Sequence, residues 1–364
     1  MTVPNNEIQP PPPPAIDAER APTPAAAPQQ PSERYTRRRR IPHIVWPLIA
    51  LALILVILWF SVAREHRVGS IVSVVDNAAP VMLLALGMTL VIATGGIDLS
   101  VGAIMALAGT VAALLITDRG WSVPLAVTAA LGAGALAGAW NGFLVAVLRI
   151  QPLVATLVLM VAGRGIAMLL SQGQHVRVDH PWFDFIGGGF WLGLPFSIWI
   201  ALTMLAAITL LTRRTAIGLF IESVGDNPTA ALYAGVNEVG VKFSVYVVSG
   251  LCSAMAGLIA ASDIREADAN LIGLYKELDA ILAVVIGGTS LAGGRFSLVG
   301  SIVGALIVQA VTTTILTRGV RPEMTQVVKA IVVVAVALLQ SARFIQVVGA
   351  PLRRGGGGRG GVAR

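Results

Sequence analysis

Residues 70–117 read SIVSVVDNAAPVMLLALGMTLVIA, then TGGIDLSVG, then AIMALAGTVAALLIT. Two apolar runs, 70–93 and 99–117, each approach the roughly 20 residues that carry a helix across a hydrocarbon core of about 30 Å. Between them lies Thr94-Gly95-Gly96-Ile97-Asp98-Leu99-Ser100-Val101-Gly102, whose glycines release the backbone from helix. The whole chain follows this pattern. Of its 364 residues 55% are hydrophobic and 12% charged, about half the charge of a soluble domain. That shortage excludes the two or three soluble domains expected of this length. The 39 glycines against 6% aromatics suit close helix packing in lipid. The single Cys252 excludes an internal disulfide or a cysteine-based metal cluster. The expected fold is an all-α polytopic membrane protein.

Working outward, apolar runs predict ten spans: 44–63, 70–93, 99–117, 123–148, 152–171, 196–212, 242–262, 278–291, 296–317 and 325–342. The eighth is short. Residues 1–42, with the proline run Pro10–Pro14, cannot bury enough surface to offset ordering entropy and read as a disordered tail. The run Arg37–Arg40 precedes a stretch long enough to be a retained span, not a cleaved signal. Residues 346–364 form a Gly/Arg tail, leaving 43–345 as the membrane domain. Placing both termini in the cytoplasm puts thirteen basic residues inside, Arg149, Arg213, Arg214 and Arg295 among them, against eight outside. The outward loops then hold the acids Asp263, Glu266, Asp268, Glu277 and Asp279. The +7 balance is a topology signal and needs no nucleic acid.

Charges within spans are functional candidates because burying them in lipid is costly. Asp76, Asp98, Arg164 and Lys329 qualify, although Lys329 near a helix end has the simpler reading of snorkelling to the interface. Asp98 or Ser100 can cap the following helix, or Asp98 can meet substrate. A second Gly-rich break, Gly287-Gly288-Thr289-Ser290-Leu291-Ala292-Gly293-Gly294-Arg295, aligns with the first. Broken helices at matching places suggest a transport pathway, yet both breaks fall on the cytoplasmic side, where an inverted repeat would separate them. Gly134, Gly138 and Gly142, like Gly300 and Gly304, place glycine on one helix face for packing. Thr312 and Thr313 can bond back to their own helix, whereas Gln309 is a candidate for an interior path.

The longest internal loop, 213–241, contains Gly225-Asp226-Asn227-Pro228-Thr229-Ala230-Ala231. Asn227 or Asp226 as cap, Pro228 in the first turn and Gly235 at the end predict a short helix there. It serves no core, so it reads as a docking surface or an amphipathic connector. No Gly-x-x-x-x-Gly-Lys-Ser/Thr loop or His-Glu-x-x-His pair supports nucleotide or metal chemistry.

Gly87 through Gly102 resembles the signature of the ribose/xylose/arabinose-type sugar ABC transporter permeases. Asn141-Gly142, Pro152 through Leu157, Gly225 through Ala231, and Glu277-Leu278-Asp279-Ala280-Ile281 through Gly294 match in the family's order. Glu277 to Gly319 is most similar to the galactofuranose-type members. The resemblance implies a sugar importer's membrane subunit in the bacterial inner membrane, with no catalytic residue, metal or cofactor of its own. It implies a second permease subunit, a periplasmic sugar-binding protein, and cytosolic ATPase domains that use ATP and Mg and dock on the Gly225–Leu232 stretch. Neutral sugars need hydrogen-bonding side chains, for which Asn77, Asn141, Thr156 and Gln309 are the lining candidates. A secondary transporter coupling ions through Asp76 and Asp98 is the alternative, and an intramembrane enzyme a distant third.

Overall fold

A computed structural model of the chain describes residues 45–61, 67–319 and 324–331. The expected tails, 1–42 and 346–364, and most of the tenth span lie outside the described residues. The helices are α1 (Val45–Ser61), α2 (Arg67–Ala93), α3 (Val101–Thr117), α4 (Val123–Gly142), α5 (Pro152–Leu170) and α6 (Pro181–Gly188). They continue as α7 (Phe196–Arg214), α8 (Ile217–Asp226), α9 (Pro228–Tyr233), α10 (Glu238–Asp263), α11 (Lys276–Ile286) and α12 (Leu298–Thr317). A further helical stretch covers 324–331. Two antiparallel pairs of two-residue strands complete the set: β1 (Val176–Arg177) with β4 (Glu266–Ala267), and β2 (Phe190–Trp191) with β3 (Leu194–Pro195).

Among the described residues six helices are long and apolar enough to cross a membrane: α2, α4 with its π-helical continuation to Val147, α5, α7, α10 and α12. The apolar helices α1 and α3 are shorter. The predicted eighth span contracts to the 11 residues of α11, about 16 Å long at 1.5 Å per residue. Gly287, and Gly288 at φ 88°, end it. The large loop also holds more helix than expected, because α8 precedes the predicted short helix.

Glycine lets α10 become the centre of the bundle. A Cβ on Gly134 would lie 2.4 Å from Ala254 Cβ, and one on Gly138 2.3 Å from the Tyr246 carbonyl. The predicted α4 stripe therefore seats α4 backbone-to-backbone on α10, as small residues permit in membrane helices. In the same way a Cβ on Gly304 would meet the Ala283 carbonyl at 1.9 Å, locking α12 onto α11.

These contacts set the two ends of the bundle. At one end Gly142 of α4 rests on Phe243 near the start of α10, and Gly225 of α8 rests on Ala93 at the end of α2. Arg149, Arg213, Arg214 and Arg295 flank these elements. At the other end Gly187 of α6 packs on Asp263, the last residue of α10.

Candidate functional site

The polar core begins at the first break. Asp98 and Ser100 are fully buried. The Ser100 N–H and hydroxyl both donate to Asp98 Oδ1, at 3.0 and 2.6 Å, and the Ser249 hydroxyl donates to Asp98 Oδ2 at 2.8 Å. Asn141 Nδ2 donates to Ser100 Oγ at 2.8 Å. Thr156 Oγ1 lies 3.2 Å from the Ile97 carbonyl. The Asp98 carboxyl thus joins the break to α10, Asn141 of α4 reaches it through Ser100, and Thr156 of α5 bonds the main chain one residue before it. Ser100 precedes α3 without a side-chain cap bond. Asp98 instead satisfies the N–H of Ser100, so the capping role divides differently from the expectation. Two polar atoms of the cluster, Asn141 Oδ1 and Tyr246 Oη, are buried with no hydrogen-bond partner among the described residues.

The lining candidates separate accordingly. Asn141 and Thr156 are fully buried, with Asn141 Nδ2 and the Thr156 hydroxyl turned to the break. Gln309 is 7% exposed and its amide donates within its own helix to Thr313 Oγ1 at 3.4 Å. Asn77 is on the exposed side of α2, its amide donating to the Ser73 carbonyl at 2.9 Å. Asn141 and Thr156 are thus brought together at the first break, whereas Gln309 and Asn77 bond within their own helices. Thr312 bonds back to the Val308 carbonyl as expected, and Asp76 accepts from the Ser197 hydroxyl at 2.7 Å.

The 213–241 stretch folds around a joint with almost no side chains. The Asn227 side chain accepts from the Ala230 N–H at 3.0 Å, Pro228 occupies the first turn, and Gly235 comes after the helix at φ 83°. This is the predicted cap geometry. Thr229, Ala230, Leu232 and Tyr233 are exposed, and only Ala231 of this helix is buried. Immediately before it, the Cα of Gly225 faces both Gly-rich breaks. A Cβ there would lie 1.8 Å from the Ala93 carbonyl oxygen and 2.6 Å from Gly294 N. Gly294 N–H donates to that same Ala93 carbonyl at 2.9 Å. A Cβ on Gly293 (φ 92°) would lie 2.9 Å from the Gly225 carbonyl and 3.2 Å from Gly95 N. The two breaks therefore meet each other at the foot of α8. Gly95 and Gly288 hold positive φ, and a Cβ on Gly96 would lie 2.7 Å from Tyr246 Oη. In the second break Thr289 Oγ1 accepts from Ser297 N–H at 3.2 Å, and Ser290 Oγ from Ala292 N–H at 3.2 Å.

Two contacts differ from what residue order suggests. Lys329 does not snorkel: its ammonium donates to Asp279 at 2.7 and 3.0 Å, with Lys276 3.6 Å from the same carboxylate. The side chains of Lys329 and Asp279 are 17% and 7% exposed. Asp279 and Glu277 thus belong to the first turn of α11, not to an outward loop. Arg164 is the second: its Nη1 donates to the carbonyls of Ala269, Asn270 and Ile272 at 2.8, 3.0 and 3.3 Å. Both partners are distant in sequence, and a single chain offers no local signal for such pairs. Ser249 and Tyr246, polar groups three apart in an apolar helix, are the local signal that points to the Asp98 cluster.

Residues 70–337 match the family described as branched-chain amino acid transport system / permease component. The chain is 54% identical over 320 residues to the galactofuranose transporter permease protein YtfT of Escherichia coli (strain K12), covering 86% of this chain and 94% of that protein. It is 38% identical to the fructose import permease protein FruF of Bifidobacterium longum (strain NCC 2705), over 83% of this chain and 88% of that one. The ribose import permease protein RbsC of Escherichia coli (strain K12) is 35% identical over 81% of this chain and 93% of its own. With about three quarters of its length matched, the chain belongs to the branched-chain amino acid transport system / permease component family.

Proposed function

We propose that this chain is the membrane-spanning permease subunit of an ATP-binding-cassette importer in a bacterial inner membrane, and that it passes a monosaccharide. The likeness to galactofuranose, fructose and ribose permeases supports the sugar class. In this reading the chain hydrolyses nothing. A cytosolic ATPase consumes ATP with Mg, a second permease subunit completes the path, and a periplasmic binding protein delivers the sugar. The Arg-flanked end of the bundle faces the cytoplasm, in keeping with the bias of basic residues to that side.

The observation that carries the coupling role is the exposed α9 seated on the Gly225 joint. A partner that pushes α9 displaces α8, whose Gly225 meets the end of α2 and the second break through main-chain atoms. Force on α9 therefore reaches the end of α2 and the second break, which leads into α12, through close main-chain contact. The ion-coupled alternative gains nothing from the geometry, because Asp98 is sealed from solvent among hydroxyl donors. Asn227→Arg removes the cap acceptor and puts a bulky cation on the docking face. Reconstituted with its partners, that variant should insert normally and lose sugar-stimulated ATP hydrolysis, and wild-type stimulation would refute the docking role.

A further inference from the structure

The chain between α10 and α11 does not stay at the surface. Gly109 of α3 packs against Ala261, near the end of α10, whereas Gly102 of α3 packs against Gly273. Those seven residues of α3 span about 10 Å at 1.5 Å per residue. After leaving α10, residues 264–275 therefore turn back and descend about 10 Å along α3 before α11 begins. A Cβ on Gly102 would lie 2.2 Å from the Gly273 carbonyl, and one on Gly273 2.1 Å from the Gly102 carbonyl, so the descent is pressed onto α3. Irregular backbone at membrane depth persists only where protein satisfies it or where it lines a water-filled cavity.

Protein satisfies it here. Arg164, from inside α5, supplies the donors for three of the descending carbonyls. On the other side Asn270 N–H donates to Asp268 Oδ1 at 2.7 Å. Asn270 is thus held at its N–H and at its carbonyl while its residue remains exposed. It borders an open cavity of about 630 Å³ with Gly165, Met168, Leu169, Gln172 and Gly173. Gln172 sits at the end of α5 with φ 53° and is exposed.

We infer that this cavity is a carbohydrate-contact site, with Gln172 and Asn270 as the hydrogen-bonding groups and Arg164 as the residue that positions Asn270. The proposal rests on the permease reading and names the substrate class by chemistry. Two carboxamides offer paired donors and acceptors to hydroxyls, and Met168 and Leu169 offer an apolar surface to a sugar's C–H face. Among the described residues that line the cavity, none carries a charged side chain. A zwitterionic amino acid would need partners for its carboxylate and ammonium, because unpaired charges are costly to desolvate. The site therefore fits a neutral polyol and not an amino acid, although the family's description names the latter.

The test uses the full chain assembled with its ATPase and binding protein in vesicles. Uptake of radiolabelled galactose, ribose, arabinose, fructose and leucine is measured with and without ATP. Wild type should import one or more of the sugars and no leucine. For the best-imported sugar, Asn270→Ala and Gln172→Asn should each lower uptake roughly 5- to 10-fold at equal membrane levels, the scale of one lost neutral hydrogen bond. Leu271→Ala, beside the wall but outside it, should leave uptake unchanged. Sugar import at the wild-type rate by both cavity variants would overturn the site, as would an equal loss in Leu271→Ala. ATP-driven leucine import without sugar import would overturn the substrate class. ATP-independent uptake by wild type would instead overturn the permease reading itself.

Discussion

Replacing Gly225 by alanine adds one methyl group to a joint that has no room for it. The new carbon would lie 1.8 Å from the Ala93 oxygen, 2.6 Å from Gly294 N and 2.9 Å from the Ala93 carbonyl carbon. Ordinary carbon contacts fall near 3.5 Å, so α8 and the end of α2 must separate by about 1.5 Å. Every atom named is backbone, and none can rotate away. Overpacking of this kind costs about 1–3 kcal/mol. The displaced Gly294 N–H to Ala93 hydrogen bond adds about 1 kcal/mol. A total of about 2–4 kcal/mol exceeds what the protein relieves by local shifts, so the joint opens and the push on α9 no longer reaches the breaks. Two measurements on the reconstituted transporter check this: sugar moved per ATP hydrolysed, and thermal unfolding of the purified permease. Transport per ATP should fall at least 10-fold, and the unfolding midpoint by several degrees. Gly132→Ala is the control, because a Cβ there meets nothing within 4 Å and alanine stabilises a helix interior by about 1 kcal/mol. Wild-type coupling and stability in Gly225→Ala would refute the idea that backbone contact transmits the stroke.

The buried clusters give further tests. Asp98→Ala strands the Ser100 N–H and the hydroxyls of Ser100 and Ser249 in a closed core, and should cost about 3 kcal/mol. Ser249→Ala removes a single donor and should cost about 1–2 kcal/mol. Thermal unfolding in detergent ranks the two, and equal effects would contradict a network centred on the carboxylate. Lys329→Met leaves Asp279 buried with, among the described residues, Lys276 at 3.6 Å as its remaining cation, a loss of about 2–4 kcal/mol. Adding Asp279→Leu should recover at least about 1 kcal/mol of it, and strict additivity in that double-mutant cycle would show that the pair does not interact.

Much of this fold is legible in residue order because lipid imposes simple rules. Span length, glycine spacing and proline position act locally, and α2, α4, α5, α7, α10 and α12 lie close to where apolar runs place them. The Asn227 cap and Pro228 turn are readable for the same reason. What escapes depends on depth. Residues 278–291 look like a span by composition, yet α11 starts inside the bundle, and no single-chain pattern states how deep a helix begins. Asp279 looks like an outward acid because hydropathy cannot report Lys329, which lies fifty residues later. Asn141 and Thr156 stand out as polar groups in apolar helices, but polarity alone does not say whether they meet a path or a buried carboxylate. Arg164 is conspicuous as a charge, while its partners are main-chain carbonyls, which every residue carries.

The division of labour within the chain is set by these distances. At the Gly225 joint the three nearest neighbours of the missing Cβ are main chain, so its tolerance for change is nearly nil whatever solute is moved. At Asp98 both carboxyl oxygens are already held by Ser100 and Ser249, and those bonds tie the break to α10. Neither place can encode a substrate without losing its structural duty. Gln172 and Asn270 are different: their residues are exposed, and Asn270's backbone is fixed by Arg164 and Asp268 independently of its own side chain. Identity can change there while the descent of 264–275 is preserved. A scaffold of this kind can carry amino acids in one member and sugars in another, because function resides in the site and not in the fold. Exchanging Gln172 and Asn270 should therefore alter which solute passes, whereas exchanging Gly225 should alter whether any does.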